Sequence, residues 1–92
     1  MNRYRYKAAP KFWRSFKKLG ASQKQSAKEA WKIFKLDPFD PRLRAHKINR
    51  LSAAYGKTVH AVEIERDLRV IFYLDGETVY TLDIGTHEIY RR

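Results

Sequence analysis

Cysteine is missing from all 92 residues. Its absence excludes a disulfide framework and any thiolate metal site, and it suits a reducing cytoplasm, where the protein is expected to reside. No apolar run approaches the roughly 20 residues needed to span a membrane. The opening MNRYRYKAAP has no apolar segment of the secretory-leader kind, so no leader is expected. Internal repeats and low-complexity stretches are also missing. Acidic residues are scarce, 10 against 20 Lys and Arg, for a formal net charge of +10.

The charge is also uneven. Residues 1–57 carry sixteen basic and three acidic side chains, a net +13, whereas residues 58–92 carry four and seven, a net −3. Such a field favours a polyanion on one side of the molecule. Nucleic acid is the first candidate, an acidic protein the second and an anionic membrane surface a distant third. The bland reading is a basic domain whose charge serves only solubility. The 43% hydrophobic and 14% aromatic content marks a globular chain. Its length suits a single domain, residues 1–92, around one core.

RYRYKAA alternates basic and apolar residues and reads as an edge strand or lead-in. Pro10 suits the first position of a helix. Phe12, Phe16 and Leu19 then recur on one helical face, widened by Trp13, and Gly20 is expected to cap its end. A second helix opens with Ser22 and Gln25 at capping-box spacing. Ala27, Ala30, Trp31 and Phe34 form its apolar stripe, and Lys24, Lys28, Lys32 and Lys35 a separate basic face. Pro38 ends it. The short connection predicts an antiparallel helical hairpin, with Phe12, Trp13, Phe16, Trp31 and Phe34 in the core.

DPFDPRLRAHKINRLSAAYGK reads as an irregular middle. Its basic run of Arg42, Arg44, His46, Lys47 and Arg50 is anchored by Leu43, Ile48 and Leu51. From Thr58 the period becomes two. TVHAVEIE sets His60, Val62 and Ile64 on one face and Glu63 on the other. LRVIFYL is apolar enough to be a central strand, and Asp75-Gly76 signals a hairpin. TVYTLDIG returns with Tyr80, Leu82 and Ile84 on one face. The expected architecture is α+β: the helical hairpin packed on one face of a small, mainly antiparallel twisted sheet, with the other face open.

Several polar groups are expected to converge: Arg66, Asp67 and Arg69 at the turn into the central strand, His60 before it, His87, Glu88 and Tyr90 after the last strand, and His46 with Lys47 from the middle. RNA cleavage through the substrate's own 2′-OH requires a base, an acid and a fixed cation. Imidazole, with an unperturbed pKa of ~6.5, suits the proton transfers. Arginine suits the cation, because its planar fork holds phosphate oxygens. Tyrosine donates a hydrogen bond or stacks on a base. No metal or other cofactor is required, and the histidines lack ligand spacing. The bland alternatives are a solvated lysine face, surface histidines, and an Arg69 paired only with Asp67 or Glu63.

The order of these pieces, a helical hairpin followed by DPFDPRLRAHKI, HAVEIERDLRVIFYL and DIGTHEIY, resembles the RelE/ParE superfamily of bacterial type II toxins over roughly residues 8–91. Within it, the chain looks most like the ribosome-dependent mRNA interferases of the RelE, YoeB and YafQ kind. RDLRVIFY and GTHEIY carry most of the likeness. The resemblance implies metal-independent cleavage of mRNA in the ribosomal A site, contact with ribosomal RNA, and neutralisation by a small acidic antitoxin encoded by a neighbouring gene. It implies that Arg69 contacts the scissile phosphate, that His87 is the general acid and that Tyr90 positions the RNA. His46, His60 and Asp67 fall near further members of the YafQ-type set. The basic residues Lys24, Lys28, Lys32, Lys35, Arg42, Arg44, Lys47 and Arg50 would grip RNA. RelE proper has a lysine-rich site, for which only Lys47 is placed here. The general base stays open among His46, His60, Glu63 and Asp67. Two other readings are a ParE-like gyrase inhibitor without catalysis, against which THEIY argues, and a degenerate relative that only binds an antitoxin.

Overall fold

The computed structural model describes residues 4–91, so Arg3, at the head of the expected edge strand, lies outside the described residues. The chain runs β1 (Arg5–Ala8), α1 (Pro10–Lys17), α2 (Ala21–Phe34), a 3-10 turn (Pro41–Leu43), β2 (His46–Lys47), α3 (Asn49–Tyr55), β3 (Val59–Glu65), β4 (Leu68–Asp75), β5 (Thr78–Gly85) and a closing 3-10 helix (His87–Arg91). The five strands lie in the order β1-β5-β4-β3-β2. The apolar LRVIFYL run is the central strand β4, antiparallel to both neighbours. β1 pairs with β5 in parallel, and β2 with β3 antiparallel, so the three-strand meander gains an edge strand on each side.

One face of the sheet carries Val62, Val70, Phe72, Val79 and Ile84, packed under Phe34 of α2 and Leu43 of the 3-10 turn. Tyr6 ties β1 into this layer, since its hydroxyl donates to the Phe34 carbonyl at 2.8 Å. Burial, with Tyr4 and Asp37 nearby, pushes the Tyr6 pKa up to about 12. The other face is not open, as expected, but partly roofed. Leu51 of α3 and Ile89 of the closing helix cover Val59, Ala61 and Ile71. α3 went unrecognised in the middle segment because seven residues are too few to establish a helical period. Its apolar anchors Leu43 and Leu51 are nonetheless buried.

α1 begins at Pro10 as its fixed φ favours, but Gly20 does not cap its end. Gly20 is instead the residue ahead of α2, with an ordinary φ of −70°. Its N–H donates to the Gln23 side chain at 3.2 Å, so the cap falls two residues before the expected Ser22–Gln25 pair. α1 packs mainly on β5, and α2 on β3. Between these helices and the sheet runs an apolar cleft of about 520 Å³, lined among others by Phe12, Trp13, Phe16, Ala27, Ala30 and Trp31. The two tryptophans expected in the core therefore stand at its mouth, with Trp13 52% and Trp31 44% exposed.

Two bulges set the faces. Leu82 is an extra residue opposite the Ile71–Phe72 step, so Tyr80 and Ile84 do not share a face as the alternation predicts. The second bulge lies between Glu63 and Glu65 and brings Glu63 directly opposite Arg69.

Candidate active site

The β3–β4 connection is only Arg66-Asp67, and the closing helix begins just past β5 at His87. These short links bring two distant stretches of sequence together at one end of the sheet. His87 Nδ1 lies 3.2 Å from Asp67 Oδ1, twenty residues away in the chain. That hydrogen bond, aided by the charge of Arg69, holds the Asp67 carboxyl below the usual carboxylate range. His87 Nε2 lies 3.5 Å from Glu88 Oε1. The ring is thus held at one nitrogen and presents the other toward solvent beside a second carboxylate, with the His87 side chain 56% exposed.

Arg69 leans back over the turn. Its Nη1 donates to the Glu65 carbonyl at 3.0 Å and the Arg66 carbonyl at 3.1 Å. It forms no ion pair among the described residues, so the bland pairing with Asp67 or Glu63 does not occur. Backbone carbonyls fix the guanidinium without neutralising it, and an oxyanion can still take its remaining donors. Tyr90 lies alongside. Burial raises its pKa, the nearby Arg69 guanidinium opposes that rise, and the charge of Glu63 adds to it. The buried Tyr90 hydroxyl has no well-aligned hydrogen-bond partner. Arg69, Asp67, His87 and Tyr90 thus form one group, and Glu63 belongs with it, a residue weighed from sequence as a possible base or as an ion-pair partner of Arg69.

His60 does not join them. It stands opposite Phe72, on the face beneath α1 and α2. Its ring stacks on Phe72 at 5.5 Å and meets Phe39 edge-on at 5.0 Å. Burial, then the charges of His46 and Lys47, pushes its pKa down, and its buried Nδ1 has no hydrogen-bond partner. The sheet separates it from Arg69, which corrects the expected convergence of all three histidines. His46 pairs with Ala61 on the outer strand and so shares the face of Glu63. It is exposed, with Nδ1 3.0 Å from the Arg44 carbonyl.

The basic residues are dispersed. Lys24, Lys28 and Lys32 ride on α2 and Lys35 caps its C-terminal end, across the sheet from Arg69. Lys28 lines the cleft and Lys32 pairs with Glu29 at 3.7 Å. Arg42 is engaged by Asp40 through two 3.0 Å bonds, which hold the Asp40 carboxyl at about 2. Arg44, Lys47 and Arg50 are exposed around β2 and α3. Arg44 adopts a left-handed φ of 52°, turning the chain from the 3-10 turn into β2.

No protein-family profile and no curated protein sequence matches the chain. Solved structures do match it in shape. A chain of the archaeal RelE–RelB complex from Pyrococcus horikoshii gives a TM-score of 0.70 at 14% identity, covering 91% of this chain and 94% of that one. YafQ from Escherichia coli gives 0.62 at 14% identity, covering 94% and 96%. The fold is that of the RelE and YafQ toxins. A metal-bound toxin from Helicobacter pylori shares it, with a TM-score of 0.66 at 18% identity over 94% and 97%. Among the described residues, this chain has no group of three or more His, Asp or Glu arranged to hold a metal. No helix among them is long and apolar enough to cross a membrane.

Proposed function

We propose that the protein is the toxin of a type II toxin–antitoxin system and cleaves mRNA on the ribosome. The observation that carries this reading is the grouping of an unpaired Arg69 guanidinium, the Asp67-held His87 imidazole and Tyr90 at one end of the sheet. In the proposed reaction the 2′-oxygen attacks the adjacent phosphorus. Arg69 stabilises the charge that develops on the phosphorane oxygens. His87, oriented by Asp67, protonates the departing 5′-oxygen through Nε2, which the substrate must first take from Glu88. Tyr90 supports the RNA beside them. The residues invoked are few, with His87 exposed and Arg69 and Tyr90 half-buried, so the ribosome supplies much of the substrate alignment. The basic first half of the chain meets its RNA.

The partner is a small acidic antitoxin. The apolar cleft suits an amphipathic segment whose apolar side fills the space between Trp13 and Trp31 and whose acidic side meets Lys7 and Lys28 at the lining. The test uses ribosomes programmed with a defined mRNA. His87→Ala is expected to slow cleavage about 10²–10⁴-fold, and Arg69→Ala about 10²–10³-fold, with melting temperature unchanged. Wild-type cleavage by His87→Ala rules out the assigned acid. Intact mRNA with the wild-type chain, together with DNA-damage signalling in cells, would point to gyrase inhibition instead.

A further inference from the structure

We propose that Glu63 is the general base that takes the proton from the attacking 2′-hydroxyl. The proposal rests on the nuclease reading above and addresses the role that the sequence leaves open among His46, His60, Glu63 and Asp67. Three of these four are disfavoured by position. His60 lies on the opposite face of the sheet, against Phe72 and Phe39. Asp67 is committed to His87 Nδ1 at 3.2 Å. His46 pairs with Ala61, which pairs in turn with Ile71, so it sits on the edge strand level with Ile71, two residues along β4 from Arg69. Glu63 is directly opposite Arg69. Opposed residues of an antiparallel pair share a face, with Cβ atoms roughly 4.5–5.5 Å apart.

Glu63 is also available. It makes no hydrogen bond or ion pair among the described residues, because the guanidinium opposite is drawn to the Glu65 and Arg66 carbonyls. The bulge at Glu63–Glu65 produces both conditions. It brings Glu63 opposite Arg69 and turns the Glu65 carbonyl toward the guanidinium. Bulges recur beside active sites because they re-aim a side chain in this way. The negative field of Glu63 reaches Tyr90, whose ring lies with Arg69. A carboxylate and a cation side by side suit the two neighbouring sites of the reaction, the 2′-hydroxyl and the phosphate. The Arg69 charge offsets the repulsion between Glu63 and the RNA.

The step balances. The Glu63 carboxylate takes the 2′ proton as the O2′–P bond forms. The P–O5′ bond breaks, and O5′ takes a proton from His87. The products are a 2′,3′-cyclic phosphate and a 5′-hydroxyl, with Glu63 left protonated and His87 neutral, and water returns the proton from one to the other.

A substrate with sulfur in place of the scissile 5′-oxygen separates base from acid, because the thiolate leaves without a proton. On programmed ribosomes, Glu63→Gln is expected to slow cleavage about 10²–10⁴-fold on both the oxygen and the sulfur substrate. His87→Ala is expected to be slow on oxygen and near wild type on sulfur. Glu63→Gln within threefold of wild type on the oxygen substrate overturns the assignment and leaves the nuclease reading standing. Rescue of Glu63→Gln by sulfur also overturns it, since the defect then lies in leaving-group protonation. A wild-type chain that cuts neither substrate overturns the nuclease reading and Glu63 with it. The melting temperature of Glu63→Gln should match wild type, and a large fall would assign Glu63 to folding instead.

Discussion

Phe72→Ala tests whether the layer beneath α1 and α2 is packed as described. The Phe72 ring is fully buried at the centre of β4. It meets Phe34 of α2 at 5.1 Å, Phe39 of the following turn at 5.7 Å and His60 of β3 at 5.5 Å. One ring therefore ties α2 and the turn after it to the sheet and packs beside β3 within it. Truncating a buried phenylalanine costs about 3–5 kcal/mol, the sum of lost transfer energy and the cavity left behind. The full stability expected of 92 residues is about 5–14 kcal/mol. The variant should thus lose about a fifth of it or more, with a melting temperature lower by about 12–40 °C. Urea unfolding of the purified chain measures the loss, provided that the dependence on denaturant stays that of wild type. Because Phe72 and Arg69 face opposite sides of the sheet, the folded fraction should still cleave at low temperature. A loss below about 1.5 kcal/mol would refute the reasoning, since it would mean that Phe34 and Phe39 close the gap without cost.

Three further outcomes are expected. His60 is held neutral in the fold, its pKa below the ordinary ~6.5 that it regains on unfolding. Its contribution is complete above about pH 6.5 and is lost as pH falls toward the folded value, because the unfolded chain then binds the extra proton. His60→Leu should flatten that decline between about pH 7 and 5 in urea titrations, and an unchanged slope would assign it to another group. Trp31→Ala should weaken antitoxin binding by at least about 2 kcal/mol, roughly 30-fold in a calorimetric titration, while ribosome-dependent cleavage by the free toxin persists. Gly76→Ala should cost about 1–2 kcal/mol by thermal unfolding. A Cβ there meets nothing within 4 Å, so only the left-handed φ of 62° can penalise it.

The period-two alternation and the apolar LRVIFYL run were sufficient to find β3, β4 and β5 and to make β4 central. Pro10 marked the start of α1. The errors have physical causes. Asp75-Gly76 does not belong among them: it announced the β4–β5 hairpin correctly, and the turn is closed over Gly76-Glu77, with a positive φ only at Gly76, as in a type II′ turn. The aromatic stripes of α1 and α2 have core spacing, yet helix periodicity cannot report how far a helix stands from its sheet. The grouping of His60 with Arg69 failed for a sharper reason. A plain two-residue hairpin at Arg66-Asp67 would pair Ile64 with Arg69 and put Arg69 on the face of His60 and Val62. The bulge shifts the pairing by one residue, and a one-residue shift exchanges the faces. Arg69 therefore joins Glu63. Local composition does not encode such a bulge.

β1 finds its partner in β5, with Arg5 opposite Thr78, a separation of 73 residues. Polypeptides are made at about 5–20 residues per second, so the first strand waits roughly 4–15 s for the one it zips against. Until then Tyr4 and Tyr6 have no completed layer to enter, and the closing helix that brings His87 to Asp67 has not been made. On the proposed reading, a nascent chain of this topology has no assembled site while it is being translated, and the ribosome that makes it is out of its reach until β5 and the helix beyond it have emerged.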